Sequence, residues 1–371
     1  MPIITIHVKD VQQCVPRMQE ALAECHRPEM ILFFASSRYD LREIDQAFSV
    51  AYPTSSVIGC STAGEFSSEQ MTEGSIVAMA IPSDIVARLA VTLIPDVSLP
   101  GSTTHALQEL EQKLGVPVRS LDPQYYAGLI LIDGLSCAEE RVMDEIGNVC
   151  DIPFVGGAAG DDLKFQCTRV CANGQVFEHG AVLAILNLPG GYRVLKTQSF
   201  RSTGRKLIAT QVDEEHRVVY SFDGQPAPRP YAEALGVDWE GLPAKFMSHP
   251  LGLMMGDEPY VRSPRRITPG GAIEFYCNVK EGMQMDVLEE TDIIADTRKD
   301  LESVTQSSRP AGIVVFNCIL RALELKDKQQ CEAFCQIFSG IPTIGFNTYG
   351  EEYTGHINQT ATLLLFLQPA C

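Results

Sequence analysis

The chain has 371 residues, 45% of them hydrophobic and 20% charged, with a formal net charge of −18. That length suits two domains or three at ~100–200 residues each, with apolar content ample for sizeable cores. The charge argues against a nucleic-acid or anionic-membrane surface, since both partners are polyanions. The densest basic cluster, Arg262–Arg266, holds three arginines and is interrupted by Pro264. Met1-Pro2-Ile3-Ile4-Thr5 carries no positive lead, so no secretory signal is expected. No apolar run approaches the ~18 residues of a membrane span. Twelve irregularly spread cysteines point to reduced thiols and a cytoplasmic location.

In chain order, a leading strand (Ile3–Val8) and a helix (Val11–Cys25) come first. An apolar run, Ile31–Ala35, a helical segment, Leu41–Val50, a glycine-bearing stretch and a second apolar run, Ile76–Ile81, follow. A turn at Leu99–Ser102 leads into a helix, Thr103–Leu114. The earlier order then recurs as Gly128–Asp133, Glu139–Val149, a second glycine stretch and Ala181–Leu186. Short β-rich segments, Tyr192–Phe200, Leu207–Gln211 and Arg217–Phe222, run up to the breaker cluster Asp223–Pro230, which reads as a domain boundary. A helix (Tyr231–Leu235) and short strands over 246–255, 260–267, 272–279 and 284–289 form a β-rich insertion. After a helix at Asp292–Gln306 the order appears a third time: Gly312–Phe316, Lys326–Phe338, a glycine stretch and Thr362–Leu367.

The glycine stretches are copies of one another: Val57–Glu65, Phe154–Asp162 and Thr343–Glu351. In each, a glycine (Gly59, Gly156, Gly345) stands six places before an acid (Glu65, Asp162, Glu351), and a proline (Pro53, Pro153, Pro342) precedes the copy. A period of this length is duplication, not a solenoid, whose periods run ~20–50 residues. The pattern predicts an α/β fold of repeated strand–helix–strand units on a mostly parallel sheet, with a β-rich insertion.

Phosphate binding is disfavoured, because the copies lack a phosphate-loop lysine and dinucleotide glycine spacing, and their acid would repel the ligand. One reading is purely structural, with Gly59 and Gly345 supplying unusual backbone angles; another has the turns line a cleft at strand ends. An acyl-transfer enzyme with Cys60 or Ser61 as nucleophile is a remoter alternative, since G-x-S-x-G spacing is absent and no base can be placed. The pairs Cys167/Cys171 and Cys331/Cys335 lack the common zinc spacing and read as buried thiols, with a redox or zinc role the lesser alternative. Of the histidines, His7, His26, His105, His179 and His216 read as solvated. His249, opening a Met-rich strand, and His356, after the third copy, are candidate ligands or structural residues.

Three stretches resemble the hallmarks of FIST proteins: Ile58–Glu65, Asn317–Arg321, and Gly345–Glu351 followed by Gly355–Thr360. His249-Pro250-Leu251-Gly252 adds to the likeness. The resemblance implies two FIST-type modules, an N module over 31–225 and a C module over 226–371, after a leading strand and helix at 1–30. It further implies a sensory, non-enzymatic protein that regulates a histidine kinase or a cyclic-di-nucleotide signalling enzyme, with homo-oligomerisation left open. The chain is similar in size, and in showing no fused effector domain, to stand-alone bacterial FIST proteins that bind haem and sense nitric oxide. That likeness implies haem b as cofactor with His356 as its iron ligand (alternatively His249). Phe346 and Tyr349 would cover the porphyrin, and Arg262, Arg265 or Arg266 would meet its propionates. The rival reading is a haem-free sensor of an amino acid or related small molecule. Its pocket would comprise Cys60, Ser61, Glu65, Asn317, Arg321, Glu351 and Asn358, with Arg321 facing a carboxylate and Glu65 or Glu351 an ammonium group. A third is an adaptor whose insertion presents a surface to a kinase. Haem is narrowly the leading expectation.

Overall fold

The computed structural model describes residues 2–22, 27–306 and 309–369. His26 and the C-terminal end of the helix expected over Val11–Cys25 lie outside the described residues. The chain divides into two compact units. The first comprises Met1–Thr197, Arg298–His356 and Ala361–Cys371, and the second Gln198–Thr297 with Ile357–Thr360.

The first unit is built from the repeated segments. Each repeat contributes a leading strand (Ile4–Val8, Arg88–Ile94, Tyr192–Gln198) and a central strand (Pro28–Ser36, Tyr126–Ile132, Gly312–Cys318). A motif strand (Ser56–Thr62, Phe154–Ala158, Thr343–Thr348) and a closing strand (Ile76–Pro82, Ala181–Asn187, Thr360–Phe366) complete it. In all three sheets the order is leading, closing, central, motif. The central and motif strands run parallel, because a helix crosses over between them. The closing strand pairs antiparallel with the central one. The sheets are therefore mixed, where the sequence suggested mostly parallel ones: apolar runs show that a strand is buried, not which way it points.

Beyond each motif strand the sheet is extended by a strand from a different repeat. Glu65–Ser67 of the first repeat pairs with the third motif strand, Val170–Ala172 of the second with the first, and Glu351–Tyr353 of the third with the second. This cyclic exchange locks the three repeats together. Two-residue alternation along the strands then feeds separate cores. Met30, Leu32 and Phe34 pack with Leu129, Leu131, Val314, Phe316 and Phe346 in one core shared by all repeats. Ile31, Phe33 and Ala35 instead face the helices Cys14–Ala21 and Leu41–Ala51.

The third-place glycines serve close approach rather than unusual angles. A Cβ at Gly59 would lie 2.5 Å from the Phe33 ring, at Gly345 2.2 Å from the Phe66 ring, and at Gly156 1.8 Å from the Ile130 carbonyl oxygen. The helix expected over Lys326–Phe338 is two, Ile319–Asp327 and Cys331–Gln336, broken near Gln329, whose φ is 55°.

The second unit is antiparallel. Its 14-residue strand Phe200–Asp213 pairs with Gln284–Glu290 and Val218–Phe222. The helix Pro228–Leu235 closes a core around Tyr231, Phe222, Phe275 and Val287. Asp223–Pro230 lies inside this unit: Asp223 and Gly224 turn the chain between strands at φ 50° and 73°, and Pro228 opens the helix. The strand expected over 260–267 is two, Glu258–Arg262 and Pro264–Ile267.

Candidate functional site

The three motif turns meet in the first unit and hydrogen-bond to one another through their backbones. Turn two joins turn one through Gly160 N to Ser61 O (3.0 Å) and Asp162 N to Thr62 O (3.0 Å). Turn one joins turn three through Ala63 N to Asn347 O (3.1 Å) and Asn347 N to Gly64 O (2.8 Å). Turn three joins turn two through Ala158 N to Gly350 O (2.8 Å) and Tyr349 N to Ala158 O (3.1 Å). Gly64 is required here: its φ is 120°, and a Cβ would lie 2.7 Å from Asn347 Nδ2.

Turns one and three treat their acid alike. The Thr62 hydroxyl donates to Glu65, and the Thr348 hydroxyl donates to Glu351 Oε1 at 2.5 Å. Glu65 also accepts from Ser75 N (2.8 Å) and Ser75 Oγ (2.7 Å). Burial, reinforced by the Asp162 charge, pushes the Glu65 carboxyl up to about 7, against the pull of its hydrogen bonds. Ser75 continues to His7, whose Nε2 lies 3.0 Å from Ser75 Oγ and 2.8 Å from Thr72 Oγ1. Burial and then Lys9 lower His7 to about 4, so it is a hydrogen-bonded neutral group, not the solvated one its sequence suggests.

Turn two differs. Ala159 replaces the threonine, and the two acids differ in setting: Asp161 is buried and Asp162 is partly exposed. Asp161 accepts the backbone N–H groups of Phe165, Gln166 and Cys167 (2.8, 2.6 and 3.0 Å) and the Tyr349 hydroxyl. Asp162 accepts from Ser36 Oγ (3.0 Å) and Ser37 Oγ (2.6 Å). Asp162, Leu163 and Phe165 all have positive φ (56°, 63°, 52°), and the Phe165 ring stacks on Tyr349 at 4.7 Å.

Where the turns meet, a cleft of about 440 Å³ takes one residue from each: Ala63, Asp162 and Asn347. Ile319, Ala322 and Leu323 form an apolar wall. Lys326 and Glu73 line it too and pair with each other at 2.9 Å. Asn317 Nδ2 donates to Asn347 Oδ1 (3.0 Å), and Arg321 Nε donates to Asn317 Oδ1 (3.2 Å), which fixes Asn347 from beneath. Burial lowers Arg321 from its ordinary value, against Glu324 and Glu351.

Of the residues expected to line a polar-ligand pocket, Asn317 and Arg321 support the cleft through Asn347, while Glu65 and Glu351 are tied into their own turns. Ser61 Oγ accepts Arg169 N at 2.9 Å. Cys60 does not belong in a pocket: strand alternation points it into the shared core, and burial raises its thiol well above the ordinary value. This also removes it as a nucleophile. Asn358 falls in the second unit, its amide atoms buried without a partner among the described residues. Asp162 stood out only as the second motif's acid. Thr72, Glu73 and Lys326 carry no sequence signal, because Glu73 and Lys326 meet only through folding.

Of the residues expected around haem, His356, Phe346 and Tyr349 lie in the first unit and are held by neighbours there. His356 is buried (3% exposed), its Nδ1 is 2.9 Å from Glu352, and its ring lies against Gly350. Burial lowers its basicity, but Glu352 and Glu140 outweigh this and raise it to about 9. Phe346 is enclosed among Phe34 and Phe316. Tyr349 is bound to Asp161, and neither it nor Phe346 or His356 lines the cleft. Arg262, Arg265 and Arg266 lie in the second unit, where Arg265 and Arg266 grip Glu274 at 2.6 and 2.7 Å. His249 is there too, its Nδ1 2.8 Å from Ser248 Oγ. His356, Phe346 and Tyr349 are buried and already engaged within the first unit, and no step is derived through haem. Among the described residues no three His, Cys, Asp or Glu side chains are grouped to hold a metal ion. Cys171 donates to Gly59 O at 3.5 Å, and Cys335 is buried in the helix Cys331–Gln336.

The FIST N domain matches residues 29–225 and the FIST C domain residues 227–353. An uncharacterized protein of Methanocaldococcus jannaschii is 22% identical over 308 residues, covering 77% of this chain; the chain spans 58% of that relative's length. A solved structure of a cyanuric acid hydrolase from A. caulinodans aligns over 99% of both chains at 8% identity, with a TM-score of 0.34. A TM-score this low carries no argument about activity, and the expectation of a non-enzymatic chain is not carried forward. Among the described residues no helix is long and apolar enough to cross a membrane. FIST domains mark sensory, ligand-binding signalling proteins, and with matches across most of its length this chain belongs to the FIST family.

Proposed function

We propose that the cleft at the junction of the three turns is the sensory site and takes a free amino acid with an aliphatic side chain. The observation that carries this reading is that Asp162 and Lys326, opposite in charge, line one cleft together with the apolar Ile319, Ala322 and Leu323, although Asp162 also lies 3.5 Å from Lys164 Nζ. Its volume of about 440 Å³ is within the ~300–1,000 Å³ usual for small-ligand sites. Asp162 would hold the ammonium group and Lys326 the carboxylate, leaving Glu73 to do so. The exposed Lys326–Glu73 pair costs little to open, under about 1 kcal/mol. A ligand touching residues of all three turns would tighten their mutual hydrogen bonds, a change that a partner histidine kinase or cyclic-di-nucleotide enzyme would read. Thermal shift with the standard amino acids tests it. Stabilisation by aliphatic members, lost in Asp162→Asn, supports the reading; stabilisation by none of them overturns it.

The haem reading retains one favourable observation, the buried His356 Nε2 without a partner among the described residues. An absorption spectrum after haem addition tests it. A spectrum like that of free haem, or one unchanged in His356→Ala, removes it.

A further inference from the structure

A second hollow in the first unit has the opposite electrostatic character. It measures about 390 Å³ and is lined by Ser37, Arg38, Tyr39, Asp40, Arg42, Arg169 and Glu178. It lies where the central strand Pro28–Ser36 runs out and the helix Leu41–Ala51 begins, the end of an α/β unit at which ligands commonly bind. Three arginines line it against two acids, in a chain whose net charge is −18.

The three arginines are held differently. Arg38 donates to the Tyr39 hydroxyl at 2.8 Å, and its guanidinium sits 4.8 Å from the centre of the Tyr39 ring. Arg42 makes no side-chain hydrogen bond or ion pair among the described residues, although its backbone N–H donates to Asp40 Oδ1 at 2.9 Å. Arg169 donates through Nε (3.2 Å) and Nη2 (2.8 Å) to Glu178 Oε1, so an oxyanion of the chain itself already occupies part of the hollow. Asp40 opposes an anionic ligand, but one of its oxygens is engaged in capping the helix. Guanidinium forks match tetrahedral and planar oxyanions with paired hydrogen bonds, and a ligand with more charge than one carboxylate would outcompete Glu178.

We propose that this hollow binds a phosphoryl group carried on a small molecule, gripped by Arg42 and Arg169, with Glu178 as the internal competitor it displaces. The site is independent of the amino-acid reading of the cleft. Titration calorimetry of the full chain with inorganic pyrophosphate at low salt tests it, with circular dichroism verifying that each variant is folded. The expected result is saturable binding, weakened about tenfold in Arg42→Gln and strengthened several-fold in Glu178→Gln, which frees Arg169. The paired, opposite responses distinguish a built site from loose attraction to surface arginines. No saturable binding, or binding that neither substitution changes, would overturn the proposal. Citrate binding as tightly as pyrophosphate would overturn the phosphoryl assignment.

Discussion

Turns one and three on one side, and turn two on the other, descend from the same motif yet do different work. In the first pair a threonine hydroxyl holds the motif acid inside the protein, Thr62 with Glu65 and Thr348 with Glu351. Turn two has Ala159 at that place, its glycine one position early, and its acids split between a buried Asp161 and a partly exposed Asp162 that enters a loop with positive φ. The closed turns form the frame and the open turn contributes the charge to the cleft. Duplication thus supplied the architecture, and departure from the repeat supplied the site.

The largest expected effect comes from breaking the feature all three turns share. Gly156→Ala places a Cβ 1.8 Å from the backbone oxygen of Ile130, which cannot swing aside. It should cost about 3 kcal/mol or prevent folding, measured by urea denaturation. Next is the pH response of the closed turns. The folded state raises Glu65 from 4.5 to about 7 and so prefers its protonated form. Its contribution is full below the unfolded value and is lost as pH rises through about 7, on the order of 3 kcal/mol in total. Glu65→Gln cannot titrate, so its stability relative to the native chain should rise between about pH 5 and pH 8. A pH-independent difference would contradict the burial argument.

Smaller effects sharpen the comparison. Thr62→Val strands a buried carboxyl and should cost about 2 kcal/mol in the same denaturation experiment, whereas Ala159→Ser in turn two should change stability by under about 1 kcal/mol. Equal costs would mean that the turns are not differentiated as described. The smallest effect belongs to Lys326→Met, since its partner Glu73 is exposed: under about 1 kcal/mol in stability, but a clear loss of amino-acid affinity.

Much of the frame was legible in the sequence because it is local. The apolar runs became central and closing strands nearly at their expected limits, and the glycine copies marked the motif turns. The cyclic exchange of Glu65–Ser67, Val170–Ala172 and Glu351–Tyr353 was not legible, because strand pairing between repeats depends on partners far apart in the chain. Gly59 and Gly345 were recognisable as special but not for the right reason: sequence cannot tell a glycine needed for φ from one needed for room. His7 looked solvated because Thr72 and Ser75, which surround it, lie 65 and 68 residues further along the chain. The cleft itself was hidden for the same cause, although Asn317 and Arg321 pointed to its support.

The most direct test of the cleft as the sensory site is calorimetric titration of Leu323→Trp with whichever amino acid most stabilises the native chain. Leu323 forms part of the apolar wall, so the indole should fill the space the ligand needs. The account predicts a folded protein in which binding is abolished. Unchanged affinity in that variant would place the ligand elsewhere and contradict the central claim.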